Sequence, residues 1–255
     1  MNYIDTHFHL DLFKEESLLA DEIESNKIYT IAVSNAPRVF EHLQKICNGK
    51  KFLKAALGYH PEVIPIVGNE LSLFENHLKQ TKYIGEVGLD YSNSSKEEKY
   101  EQTRIFERIL ELCDESGDKI LTVHSRRSES DIIDMIGEKF RGKVIMHYYS
   151  GNIVILKKAI EYGYYFSVNY SMTQTANGKK IISQIPQNRI LTESDGPFVL
   201  IDRKKSTPFN IKDTISQLAN LFNISTEQTR TLIYDNFKTL LMNYPAASGR
   251  GIIEE

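Results

Sequence analysis

The sequence predicts an α/β chain closed into a (β/α)8 barrel, and three observations carry that prediction. Short β-rich runs alternate with longer helical patterns, the runs number eight, and residue types that bind metals recur where the runs end. Alternating strand and helix implies parallel pairing through helical crossovers. Eight such units close on themselves, and barrels of this kind carry their chemistry at the carboxyl ends of the strands. A chain of 255 residues suits one such unit, so residues 1–255 are taken as a single barrel domain.

The opening run, Tyr3-Ile4-Asp5-Thr6-His7-Phe8-His9, has the period of a strand. Successive side chains alternate, so His7 and His9 share one face while Ile4 and Phe8 take the other. The remaining runs cover residues 27–33, 52–57, 83–87, 119–123, 143–146, 164–168 and 189–191. Among the helical segments between them, residues 100–113 place Ile105, Phe106, Ile109, Leu110, Leu112 and Cys113 on one apolar face at the helical period. Beyond Asp195, a loop with Arg203, Lys204 and Lys205 leads to two helices. The second opens on a capping box, Ser225 with Gln228, and its apolar face runs Leu232, Ile233, Phe237, Leu240, Leu241. The stretch 245–255, rich in small residues, is expected to fray.

At the ends of these runs stand His7, His9, Glu86, His124, His147 and Asp195. A mixed imidazole and carboxylate set suits Zn, Mn, Fe or Mg, and residue type alone does not choose among them. Six donors exceed what one tetrahedral ion needs, whereas two ions about 3.5 to 4 Å apart, bridged by a carboxylate, use them all. Glu86, near the middle of the barrel order, is the natural bridge. Asp195 can bind metal through one oxygen and serve as general base through the other; within Glu193-Ser194-Asp195-Gly196-Pro197 it also fits a plain turn. His60, in the loop after the third strand, and Arg126, two residues past His124, suit phosphate; a backbone-bonded loop histidine and a solvated arginine are the simpler alternatives. Tyr148, Tyr149, Tyr162, Tyr164, Tyr165 and Tyr170 fit barrel packing or base stacking at the rim. His42 and His77 fall in helical patterns and are expected at the surface. Cys47 and Cys113, isolated on helices, are expected as packing residues.

Composition narrows the function classes. A net charge of −3 argues against a protein that coats DNA through a broad basic face. It leaves a nuclease open, because bound divalent ions attract phosphate locally. No apolar run approaches the roughly 18 residues that cross a membrane, and no secretory signal precedes the first strand, so a cytoplasmic protein is expected.

In order along nearly the whole chain, Asp5-Thr6-His7-Phe8-His9-Leu10-Asp11, Gly58-Tyr59-His60-Pro61, Gly85-Glu86-Val87-Gly88-Leu89-Asp90-Tyr91 with Gln102 and Phe106, His124-Ser125-Arg126, His147-Tyr148-Tyr149-Ser150-Gly151 and Glu193-Ser194-Asp195-Gly196-Pro197 resemble the motifs of the TatD family of metal-dependent deoxyribonucleases. That family lies among the amidohydrolase-like TIM barrels. The resemblance implies that His7, His9, Glu86 and Asp195 bind one divalent ion and Glu86, His124 and His147 a second, of Mg, Mn or Zn. It implies Asp195 and Glu86 as catalytic residues, His60 and Arg126 as phosphate contacts, and cleavage of DNA phosphodiesters from a 3′ end. Tyr148-Tyr149 replaces the usual Cys-Phe, and Gly196 an Ala or Ser. These departures, with His9-Leu10-Asp11-Leu12-Phe13, Phe166-Ser167-Val168-Asn169 and Asp195-Gly196-Pro197-Phe198, are similar to the TatD-type subunit of the Qat anti-phage defence system, which implies partner subunits. A barrel hydrolase of small amides or phosphotriesters is the alternative activity, although several such enzymes bridge their metals with a modified lysine after strand four, where this chain has Glu86. A low-activity scaffold subunit is the alternative of another class.

Overall fold

Ile4 and Phe8 join the hydrophobic core, while the intervening polar residues Asp5, Thr6 and His7 are equally buried, which marks the opening strand as enclosed on both faces. The computed structural model describes residues 2–242; the tail expected over 245–255 lies outside the described residues. Eight strands pair in parallel in chain order: β1 (Ile4–Phe8), β2 (Tyr29–Val33), β3 (Leu53–Tyr59), β4 (Tyr83–Asp90), β5 (Ile120–Arg126), β6 (Lys143–His147), β7 (Tyr165–Val168) and β8 (Ile190–Thr192). Each expected run is therefore a strand, and helices fill the intervals. The seam between β8 and β1 is drawn together by Thr192 Oγ1 donating to Ile4 O at 2.5 Å, Thr6 Oγ1 to Thr192 O at 3.1 Å and Asp195 N to His7 O at 3.0 Å.

β4 is the longest strand, and every residue in it is buried. Its register shifts against β3 between Leu57 and Tyr59, and against β5 between Ile84 and Val87. Such an irregularity re-aims the side chain it carries, and the residue at this point is Glu86. Backbone bonds fix the bend: Glu86 N donates to Ser34 O at 3.1 Å, and Ser34 N to Gly85 O at 3.1 Å. Gly58 lets these chains meet, since a Cβ there would fall 1.6 Å from Ser34 O.

The helix expected over 100–113 spans Lys96–Ser116, because a capping box of Ser95 and Glu98 starts it a turn earlier and Gly117, at φ 70°, ends it. All six residues of its expected apolar face are buried. The Ser225 capping box also forms, with Gln228 N donating to Ser225 Oγ at 3.1 Å and Ser225 N to Gln228 Oε1 at 2.9 Å. Cys47 and Cys113 are buried in the core, where burial pushes both thiols up to about 12.

Two expectations change, and one pair of alternatives is narrowed. His77 is buried, 4% exposed, rather than at the surface, because it follows Phe74 on the inward face of helix Leu71–His77 and packs its ring against Phe40. Of the tyrosines, Tyr149, Tyr164 and Tyr165 are buried packing residues. The loop after Asp195 contains a hairpin, β9 (Leu200–Ile201) with β10 (Lys204–Lys205), turned by Asp202 and Arg203, both at positive φ. Two successive positive-φ residues match the twist of a tight hairpin, but Asp-Arg lacks the glycine that makes such turns legible. Among the described residues, no helix is long and apolar enough to cross a membrane.

Candidate metal centre

The period of two in β1 turns His7 and His9 to one side, where their Nε2 atoms stand 3.2 Å apart. Both face one oxygen of Glu86: Oε2 lies 3.3 Å from His7 Nε2 and 3.4 Å from His9 Nε2. Asp195 Oδ1 is 3.7 Å from His9 Nε2. The other Glu86 oxygen meets a second group. Oε1 lies 2.8 Å from His124 Nδ1, 3.4 Å from His60 Nε2 and 3.7 Å from His147 Nε2. His147 Nε2 is also 3.9 Å from Asp195 Oδ1, and its ring stacks on His7 at 3.7 Å. All six expected donors thus meet in one cluster.

Glu86 and His124 depart from the strand-end placement read from sequence. β4 continues four residues beyond Glu86 to Asp90, and β5 two beyond His124 to Arg126, because the two strands keep pairing from Gly88↔His124 to Asp90↔Arg126. His60 joins the cluster through Glu86, and its Nδ1 also accepts from Glu62 N at 3.2 Å. Arg126 is exposed at the end of β5. Asp195 is both turn and site: at φ 47° its carbonyl accepts from Phe198 N and Val199 N while its carboxyl points at the imidazoles.

Residues that hold these donors went unassigned in the sequence. Glu193 Oε2 accepts from His147 Nδ1 at 2.8 Å, and Ser167 Oγ and Asn169 Nδ2 also donate to this carboxylate. Asp90 Oδ2 pairs with His124 Nε2 at 2.8 Å, and Thr122 Oγ1 with His7 Nδ1 at 2.8 Å. Asp5 accepts from the backbone N of His7 and of Ser194, tying β1 to the loop that carries Asp195. One of these had a local signal: Asp5 stands two residues before His7, hence on the same strand face.

The donor chemistry fits cations. With Nδ1–H donated to Glu193, His147 turns an Nε2 lone pair toward Glu86 and Asp195. Burial, reinforced for His7 by His147 and for His9 by His7, lowers these imidazoles and so favours their neutral forms. Burial also lowers His147, against the attraction of Asp195 and Glu86. His9 Nδ1 is buried without a hydrogen-bond partner. Lone pairs facing carboxylate oxygens repel unless a positive charge lies between them. Burial alone would lower His124 too, yet its bonds to Asp90 and Glu86 raise it to about 10; it holds the proton that a cation would displace. Burial would raise Glu86, but His60, His7 and His124 hold it ionised, well below the usual carboxylate range. Ions of this kind hold N and O at about 2.0–2.2 Å, which sets neighbouring donors roughly 3.0–3.5 Å apart. Most of the spacings here fall in or near that range.

Eight parallel strands around a buried His and carboxylate cluster are the arrangement on which metal-dependent barrel hydrolases are built. The family model of TatD-related DNases matches residues 4–242, and the chain belongs to this family. It is 27% identical over 245 residues to an uncharacterized metal-dependent hydrolase of Methanocaldococcus jannaschii, covering 92% of this chain and 95% of that protein. With the human deoxyribonuclease TATDN3 it shares 26% over 247 residues, 88% of this chain and 89% of that one. A stretch 29% identical to the human 3′-5′ RNA nuclease TATDN2 covers 78% of this chain and 29% of that longer protein. The fold superposes on YJJV, the TatD homologue of Escherichia coli K12, with a TM-score of 0.80 at 21% identity, covering 93% and 97% of the two chains.

Proposed function

We propose that this chain hydrolyses DNA phosphodiester bonds, working inward from a 3′ end, at a centre of two divalent ions of Mg, Mn or Zn. In this reading His7, His9, Glu86 and Asp195 hold one ion, and Glu86, His124 and His147 the other. The observation that carries it is the division of Glu86, whose Oε2 faces His7 and His9 while Oε1 faces His124, His60 and His147. Bound divalent ions would supply a water acidic enough to attack at neutral pH and would offset charge on the phosphoryl oxygens.

The remaining work falls to side chains. Asp195 directs Oδ1 at His9 and His147, and its carboxylate accepts the proton of the attacking water. Burial raises the Asp195 carboxyl well above its usual range, and a bound cation would favour the ionised form that accepts a proton. Arg126, exposed two residues beyond His124, is placed to bind a phosphate with its planar fork. His60 donates to the same phosphate from beside Glu86. The family membership and the named deoxyribonuclease relatives support the substrate class.

Buried, unpaired Cys47 and Cys113 suit a reducing compartment, and we place the enzyme in the cytoplasm. The Qat-like motifs around Tyr148 and Gly196 support a role beside partner subunits in anti-phage defence. The test is cleavage of end-labelled single-stranded DNA, duplex DNA and RNA by protein of measured metal content, with chelator and Glu86→Ala controls. Chelator-sensitive release of nucleotides from DNA is expected. Metal-loaded protein that leaves DNA intact would overturn the reading, and cleavage of RNA alone would transfer it to that polymer.

A further inference from the structure

Two aromatic rings border the metal centre without contributing to its donors. Phe198 is 64% exposed, and its ring meets His9 edge to face, with centroids 5.0 Å apart and planes at 87°. Tyr148 is 37% exposed and meets His147 in the same manner, at 6.1 Å and 79°. Scattered surface aromatics are ordinary. What sets these two apart is that each touches a histidine of the cluster and each is held by its backbone. Phe198 N donates to Asp195 O at 2.9 Å. Tyr148 sits at φ 40°, a region that a bulky residue rarely occupies and that persists only where its surroundings enforce it.

Phe198 also leads directly into the β9–β10 hairpin, which exposes Arg203, Lys204 and Lys205. Among the described residues no ion pair with an acidic side chain engages these three. Beside the hairpin lies a cleft of about 400 Å³, with Tyr170, Lys204, Lys205 and Asn210 in its walls together with the carboxylates of Asp202 and Asp213. Aromatic faces next to a cationic track form the pattern that binds single strands, in which bases stack on rings while phosphates follow the charge.

We infer that Phe198 and Tyr148 form a stacking platform for unpaired nucleobases next to the cleaved phosphate, and that the Arg203–Lys205 hairpin carries the backbone of a single strand away from the site. This rests on the nuclease reading above and adds a substrate preference to it. Bases within a duplex are stacked on each other and offer no free face, so the platform selects single-stranded or frayed ends. Because every base has such a face, selection is independent of sequence.

The test compares kcat/KM on two end-labelled single strands, one ending in normal nucleotides and one in abasic nucleotides with the same backbone. Wild type is expected to prefer the normal end by about 5- to 150-fold. Most of that ratio should vanish in Phe198→Ala and Tyr148→Ala, and return in Phe198→Trp. Metal content and circular dichroism verify that each variant is folded. A ratio that survives in both alanine variants, or a wild type indifferent to the missing base, overturns the inference while leaving the nuclease reading intact. A wild type that cleaves no nucleic acid at all overturns both.

Discussion

His147 presents Nδ1 to the buried carboxylate of Glu193 at 2.8 Å, and that contact turns its Nε2 toward Glu86 and Asp195. A carboxylate behind a metal-binding imidazole fixes its tautomer and raises its basicity. Glu193→Gln keeps the shape and removes the charge. It is expected to weaken metal binding or activity by about 10- to 100-fold. Calorimetric metal titration beside kcat checks this, and unchanged affinity and rate would show that Glu193 only packs.

Among the described residues, Glu86 is the sole carboxylate whose two oxygens meet both groups of imidazoles. Glu86→Ala should abolish hydrolysis if metal binding depends on it. Bound metal per chain, measured by elemental analysis, should fall with it. Full metal content in an inactive variant would assign Glu86 a role in chemistry alone.

Metal removal should also destabilise the fold, because the cluster joins β1, β4, β5, β6 and the loop after β8. A ligand at a hundred times its dissociation constant stabilises by about 2.7 kcal/mol. For a domain of this size about 2–4 °C accompanies each kcal/mol, so Tm should fall on the order of 5–10 °C with chelator. Differential scanning calorimetry with and without added metal measures the difference.

Burial pushes the thiols of Cys47 and Cys113 up to about 12, above the ordinary value of 9.0. The sign follows: the folded state favours the protonated thiol, so stability from this source is full below pH 9 and is lost as pH rises toward 12. At pH 8.5 the native protein should resist iodoacetamide, which attacks thiolates. Both cysteines should react once urea unfolds the chain, and mass spectrometry counts the adducts.

Gly58 permits the close meeting of β3 with Ser34 and Glu86; a Cβ would lie 1.6 Å from Ser34 O and 2.6 Å from Glu86 N. Gly58→Ala therefore forces backbone apart beneath the Glu86 carboxylate. We expect a loss of about 3 kcal/mol, the upper end for overpacking, together with weakened metal binding. Urea denaturation reads the first and metal titration the second.

Much of the site was legible because strand direction is a local property. The period of two alone placed His7 with His9, and the recurrence of His and acidic residues after apolar runs marked His124, His147 and Asp195. The apolar face from Ile105 to Cys113 and the Ser225 cap were legible for the same reason: each is set by residues within a few positions of one another. His77 escaped that logic because its burial depends on Phe40, on another helix.

By itself the sequence named six residues that the fold brings into one cluster and the barrel that carries them, since alternation, helical period and motif order are written along the chain. Only the tertiary structure decided how they meet. The division of Glu86 between two groups of imidazoles, the support of His147 by Glu193 and of His124 by Asp90, and the exposure of Phe198 beside His9 depend on strand register and on loops far apart in the chain. Side-chain direction follows from neighbouring dihedral angles, whereas the distance between a carboxylate on β4 and an imidazole on β1 is fixed by closure of the barrel.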